Sequence, residues 1–126
     1  MKKKILLVED NTSNQELFIE ILKTSNKYEL FVVDNGLKAL ELLETFKPDL
    51  ILMDIHMPNL DGLAVTRTIK SMPSIAAIPI VALSALAMKK DIQAAMEAGC
   101  IGYITKPVRI KHFLEQLDKY TEEGHR

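Results

Sequence analysis

Five short apolar runs punctuate the chain, at Ile5–Val8, Leu30–Val33, Leu50–Met53, Ile78–Leu83 and Ile101–Ile104. Most are apolar on successive residues, a pattern that suits strands covered on both faces, as in a parallel sheet. The intervening stretches repeat at helical spacing. Leu17, Phe18, Ile21 and Leu22 share one face, with Ser13 and Glu16 as a candidate capping box. Leu37, Leu40 and Leu43 serve a second helix, and Val65, Ile69 and Met72 a third. Met88, Ile92, Ala95 and Met96 predict a fourth, ended by Gly99, and Ile110, Phe113, Leu114 and Leu117 a fifth. Five strands alternating with five helices predict a doubly wound α/β sandwich, and right-handed crossovers leave few topologies.

No repeat, low-complexity tract or Pro/Gly-rich linker divides the chain, so residues 1–126 read as a single domain with a core over about residues 4–121. No apolar run approaches a membrane span, and Glu9 and Asp10 end the first one too early for a secretory signal. One cysteine, Cys100, cannot form an internal disulfide and fits the cytoplasm as a small buried hydrophobe. Sixteen basic and seventeen acidic residues give a net charge of -1, which gives no support for nucleic-acid binding. The Lys2–Lys4 run reads as a solvated lead-in to the first strand.

Open α/β sheets bind ligands at the carboxyl ends of their strands. Glu9 and Asp10 follow the first run, Asp54 the third, Ser84 the fourth, and Thr105-Lys106-Pro107 the fifth. Three carboxylates gathered there repel one another: two charges about 4 Å apart cost roughly 4 kcal/mol at an effective dielectric of about 20. A hard divalent cation offsets that repulsion, and Mg²⁺ binds through one or two carboxylates plus waters and phosphate oxygens. Lys106 adds a flexible positive charge and Ser84 a hydroxyl donor. A nucleophilic carboxylate, a cation and fixed donors are the parts phosphoryl transfer needs.

The sequence resembles the receiver (CheY-like) domains of two-component response regulators over essentially its whole length. The resemblance is carried by Leu7-Val8-Glu9-Asp10-Asn11 and by Asp49-Leu50-Ile51-Leu52-Met53-Asp54 followed by Met57-Pro58 and Asp61-Gly62. It continues through Ile80-Val81-Ala82-Leu83-Ser84-Ala85 and Gly102-Tyr103-Ile104-Thr105-Lys106-Pro107. Each piece alone is common; all of them in order, each after its strand, are specific. The Ser84–Met88 stretch is similar to receivers of hybrid kinases and of stand-alone cell-cycle regulators.

The resemblance implies a flavodoxin-like sheet of five parallel strands in the order 2-1-3-4-5. It implies Asp54 as the phosphoacceptor, taking phosphate from a histidine kinase or histidine phosphotransfer protein. Asp10 would ligate Mg²⁺ or Mn²⁺ with Asp54, Glu9 would assist, and His56 would contribute its backbone carbonyl. Lys106 and Ser84 would contact the phosphoryl group, and Tyr103 stands at the switch-aromatic position. The Lys106-Pro107 peptide is often cis in such domains. The same resemblance implies a downstream protein docked on the face of the fourth helix, fifth strand and fifth helix, and a monomer or weak phosphorylation-dependent dimer. It implies a signalling switch rather than an enzyme, with neither direct nucleic-acid binding nor membrane insertion.

A metal-dependent phosphatase of the haloacid dehalogenase type needs a second aspartate two residues after the nucleophile, where this chain has His56. A flavodoxin-like cofactor carrier needs a Gly/Ser/Thr-rich loop after the first strand, which is missing. A non-phosphorylated scaffold would have lost the acidic pair, the aspartate or the lysine. With no residues left for an output domain, the readings are a stand-alone regulator, favoured by Met1 and a short polar tail, or a receiver cut from a hybrid kinase or larger regulator. His56 and Leu86 stand where receivers vary and tune phosphate lifetime, and apolar Leu86 is expected to hinder attacking water. Asp61-Gly62 reads as a turn and helix entry, and neither His112 nor His125 has metal-ligand spacing.

Overall fold

Ile5 through Val8 have no exposed surface, although their side chains alternate between the two sides of the strand. The reason is a sheet with helices on both faces. The computed structural model describes residues 2–57, 60–86 and 88–122, so Pro58 and His125 lie outside the described residues. In chain order the elements are β1 (Lys3–Val8), α1 (Thr12–Lys23), β2 (Tyr28–Val33), α2 (Gly36–Leu42), β3 (Leu50–Asp54) and α3 (Gly62–Lys70). They continue as β4 (Ile80–Ser84), α4 (Lys89–Ala98), β5 (Gly102–Thr105) and α5 (Ile110–Tyr120). All strand pairs of this sheet are parallel, and the spatial order is β2-β1-β3-β4-β5, as expected. A separate two-residue antiparallel ladder pairs His56 with Asp61 and Met57 with Leu60.

Alternation along the strands sorts the core into two layers. Leu6, Val8, Ile51, Met53, Ile80 and Ala82 pack with Ala39, Leu43, Val65, Ile69 and Ala95 on the side of α2, α3 and α4. Ile5, Leu7, Leu50, Leu52, Val81 and Leu83 pack with Phe18, Ile21, Leu22, Phe113 and Leu117 of α1 and α5. Each buried Val, Leu, Ile, Phe or Met among them stabilises the fold by about 1.5–3 kcal/mol relative to exposure.

Several local expectations shift. The capping box of Ser13 and Glu16 does not form, because Asn11 caps α1 by accepting the Asn14 N–H at 2.9 Å, which leaves Ser13 inside the helix. The fourth strand opens at Ile80 rather than Ile78, since the Ile78 N–H turns back to the Ile75 carbonyl and Pro79 has no N–H. Leu17, Leu37, Met72, Met88, Met96 and Ile110, read as core or packing positions, are exposed. Gly99 ends α4 in the left-handed region, at φ 116°. Because every strand of the main sheet runs the same way, the residues after β1, β3, β4 and β5 meet at one edge.

Candidate phosphoacceptor and metal site

Glu9 leaves β1 with its N–H donated to the Val33 carbonyl of β2 (3.0 Å), and its own carbonyl accepts from the Gln15 side chain of α1 (2.6 Å). Asp54 ends β3 in register with Leu83 of β4. Its Oδ1 accepts the His56 N–H at 3.0 Å, which orients the carboxylate. Glu9, Asp10 and Asp54 each place a carboxylate oxygen within 4.8 Å of the others. Glu9 and Asp54 are buried, while Asp10 is more open to solvent.

Lys106 reaches into this cluster from the loop after β5. Its Nζ donates to Glu9 Oε1 at 2.8 Å and to Asp54 Oδ2 at 3.3 Å, and its side chain keeps only 17% exposure. The loop is anchored by the Lys106 N–H on the Ser84 carbonyl (2.7 Å), and the Lys106-Pro107 peptide is cis. Burial, and next the neighbouring Asp54, push the Glu9 carboxyl above the ordinary carboxylate range, with Lys106 acting in the opposite direction. One ammonium against three carboxylates leaves a formal charge of -2. The cluster opens into a cleft of about 610 Å³, whose wall also includes Asn11, Asn14, His56, Ala85 and Leu86.

Ser84 is fully buried, and its hydroxyl oxygen accepts the Leu86 N–H at 3.0 Å. It does not cap α4, which begins five residues later. Tyr103 packs half-buried against the α2–α3–α4 layer and donates its hydroxyl to the Leu86 carbonyl at 2.7 Å. The side chain of His56 is exposed.

A family model described as the response regulator receiver domain matches residues 5–118. The chain belongs to this family. It is 41% identical over 120 residues to the polar-differentiation response regulator DivK of Brucella anthropi, covering 95% of this chain and 97% of that protein. The receiver domain of a sensor histidine kinase from Pseudomonas aeruginosa, solved with magnesium coordinated in its active-site cleft, superposes with a TM-score of 0.85. That receiver is 33% identical, over 96% of this chain and 98% of its own. The manganese-bound response regulator Rcp1 superposes with a TM-score of 0.78 at 32% identity, over 98% and 95% of the two chains. This receiver is thus of the two-component phosphorelay type, a class of signalling switch that works between kinases or phosphotransfer proteins and downstream targets. Among the described residues, no helix is long and apolar enough to cross a membrane.

Sequence reasoning missed one close approach beside this candidate site. Asp61 caps α3 through the Leu63 N–H (2.9 Å), as a turn-and-entry reading expects. Gly62, however, is pressed against the end of β3: a Cβ there would overlap the Asp54 carbonyl oxygen and lie 2.8 Å from Ile55 Cα. A signal was available, since a glycine in the first helical turn needs no left-handed backbone and so marks a close approach.

Proposed function

We propose that Asp54 is the phosphoacceptor of this receiver and that Glu9, Asp10, Lys106 and Ser84 make up its phosphoryl-transfer site. A carboxylate oxygen of Asp54 attacks the phosphorus of a phosphohistidine. The new O–P bond forms as the N–P bond breaks, and the leaving imidazole nitrogen takes up a proton. The His56 N–H keeps the Asp54 carboxylate turned toward the cleft. Lys106, already within hydrogen-bond reach of Asp54, meets the negative charge carried by the incoming phosphoryl oxygens.

The residues fit a divalent cation. Three clustered carboxylates, two of them buried, left with a formal charge of -2 beside one ammonium are what a hard, oxygen-seeking Mg²⁺ or Mn²⁺ neutralises. Asp10, Asp54 and the His56 carbonyl would hold it, with Glu9 in support. When bound, it supplies charge neutralisation around the carboxylates and the phosphoryl group.

The readout runs through Leu86, whose N–H is held by Ser84 and whose carbonyl is held by Tyr103. A Ser84 hydroxyl drawn toward a phosphoryl group gives up its Leu86 contact and loosens the Tyr103 anchor. This alters the α4–β5–α5 face on which a downstream protein docks. We read residues 1–126 as one such unit, acting in the cytoplasm as a monomer or weak phosphorylation-dependent dimer and catalysing only its own phosphorylation and dephosphorylation.

The convergence of Lys106 on Glu9 and Asp54 carries the proposal. Incubation with Mg²⁺ and acetyl phosphate, followed by intact mass, is expected to add one phosphoryl group to the wild type and none to Asp54→Asn. Equal labelling of both proteins places the acceptor elsewhere.

A further inference from the structure

Two segments flank the Ser84–Leu86–Tyr103 chain of hydrogen bonds: residues 85–90, leading into α4, and residues 105–112, leading into α5. They leave neighbouring strands in register, Ser84 opposite Thr105. The Lys106 N–H on the Ser84 carbonyl and the Tyr103 hydroxyl on the Leu86 carbonyl tie the two together. Neither segment contains a carboxylate, yet between them they carry Lys89, Lys90, Lys106, Arg109 and Lys111. Lys106 is taken up by the phosphorylation site. Lys89, Lys90 and Arg109 are exposed and form no ion pair with the described residues. Asp91, next along α4, turns one carboxylate oxygen into the protein, where it has no hydrogen-bond partner.

The same surface exposes large apolar side chains. Leu86 keeps 47% of its surface, Met88 59% and Ile110 53%. Methionine adapts its shape to a partner at little cost, and apolar anchors ringed by charge are the usual make-up of a binding patch. Lys89 and Lys90 open α4 and Arg109 is the N-cap of α5, so these cations sit at the positive ends of both helices, neither of which has a side-chain cap hydrogen bond.

We infer that this surface docks a partner protein through a segment that presents carboxylates alongside large apolar side chains. The inference rests on the reading of the Ser84–Leu86–Tyr103 chain as the phosphorylation readout, and adds the chemistry of what is read out to. The carboxylates meet Lys89, Lys90 and Arg109, and the apolar side chains cover Leu86, Met88 and Ile110. Because the Leu86 peptide belongs both to the patch and to the switch, occupancy of the patch and phosphorylation of the site are linked, each changing the affinity for the other.

The test uses three fluorescent helical peptides that share their Leu and Phe positions and carry Glu, Gln or Lys at the polar ones. They are titrated against the full chain loaded with Mg²⁺ and beryllofluoride. The Glu peptide is expected to bind about tenfold tighter than the other two, with the advantage shrinking as salt rises. The K89E/K90E/R109E variant is expected to lose that preference while its acetyl phosphate labelling stays unchanged. Leu86→Ser with Met88→Ser is expected to weaken all peptides without changing their order. Equal binding of the three peptides, no binding of the Glu peptide, or a Glu preference that survives charge reversal overturns the inference. Amide resonances of residues 84–90 and 103–110 separate the two layers of the argument. If they fail to respond to beryllofluoride, the readout itself is wrong. If they respond and the Glu preference is absent, only the partner chemistry is.

Discussion

The Tyr103 hydroxyl donates to the backbone carbonyl of Leu86 across 2.7 Å, while the N–H of the same Leu86 is held by the Ser84 side chain. One residue's backbone therefore connects the buried end of β4 to the aromatic ring on β5. Tyr103→Phe removes one arm of that bridge. We expect a loss of about 1 kcal/mol of stability, the ordinary net value of such a bond. Asp54 labelling should be retained, while the hydrogen-exchange response of residues 84–90 to beryllofluoride should be reduced. A response as large as the wild type's removes Tyr103 from the relay.

Lys106→Met leaves two buried carboxylates without their ammonium. Removal of one partner from a buried ion pair costs about 3 kcal/mol or more, so thermal melting in EDTA should fall clearly. Mg²⁺ should restore part of the loss, because a ligand that binds only the folded state stabilises it. Asp54→Asn should act oppositely and raise the melting temperature in EDTA by relieving repulsion with Glu9 and Asp10. Should Lys106→Met melt like the wild type, the charge argument for the site fails.

Gly62→Ala drives a methyl group into the Asp54–Ile55 backbone. The expected outcome is a folded protein whose Mg²⁺ affinity and acetyl phosphate labelling both fall about tenfold or more, as sub-ångström misplacement of a reacting group allows. Gly102→Ala is the control, since a Cβ there would overlap the Tyr120 ring, far along β5 from the site. It should lower the melting temperature and leave labelling alone. If the two variants behave alike, Gly62 serves packing only.

At the far end of the sheet, Tyr28 of β2 donates its hydroxyl to Asp118 of α5, which also pairs with Lys27 at 3.1 Å. The Tyr28 hydroxyl, and then Lys27, hold the Asp118 carboxyl below its ordinary value, while burial pushes the Tyr28 hydroxyl well above its own. A depressed carboxyl contributes stability that is complete above its unfolded value of about 4 and is lost as pH falls through the folded value. Asp118 is partly exposed, so Tyr28→Phe should cost only about 1 kcal/mol near neutrality. That difference should shrink below about pH 4. A gap between the two melting curves that persists unchanged into strong acid would rule out the charge-assisted bond.

Leu86→Glu tests phosphate lifetime. Leu86 lines the cleft and is 47% exposed, so a carboxylate there replaces an apolar wall with a group able to hold water. A shortened phosphoryl half-life in stopped labelling is expected; an unchanged one removes Leu86 from control of that rate.

The apolar runs and helical spacings of this chain were enough to determine the α/β class, because strands buried on both faces must be apolar on both. The acidic pair, Asp54, Ser84 and Lys106, each at or just past the end of its strand, were legible for a related reason: in a parallel sheet all strand ends point one way. Element boundaries were less so. Asn11 rather than Ser13 caps α1, and Leu37 and Ile110 keep the helical period yet stay exposed, since periodicity records a face and not what covers it. Gly62 against Asp54, Leu86 between Ser84 and Tyr103, and Lys106 between Glu9 and Asp54 are decided only in three dimensions. Contacts of that kind join segments far apart in the chain or run through the backbone, and backbone contacts leave almost no mark on side-chain identity.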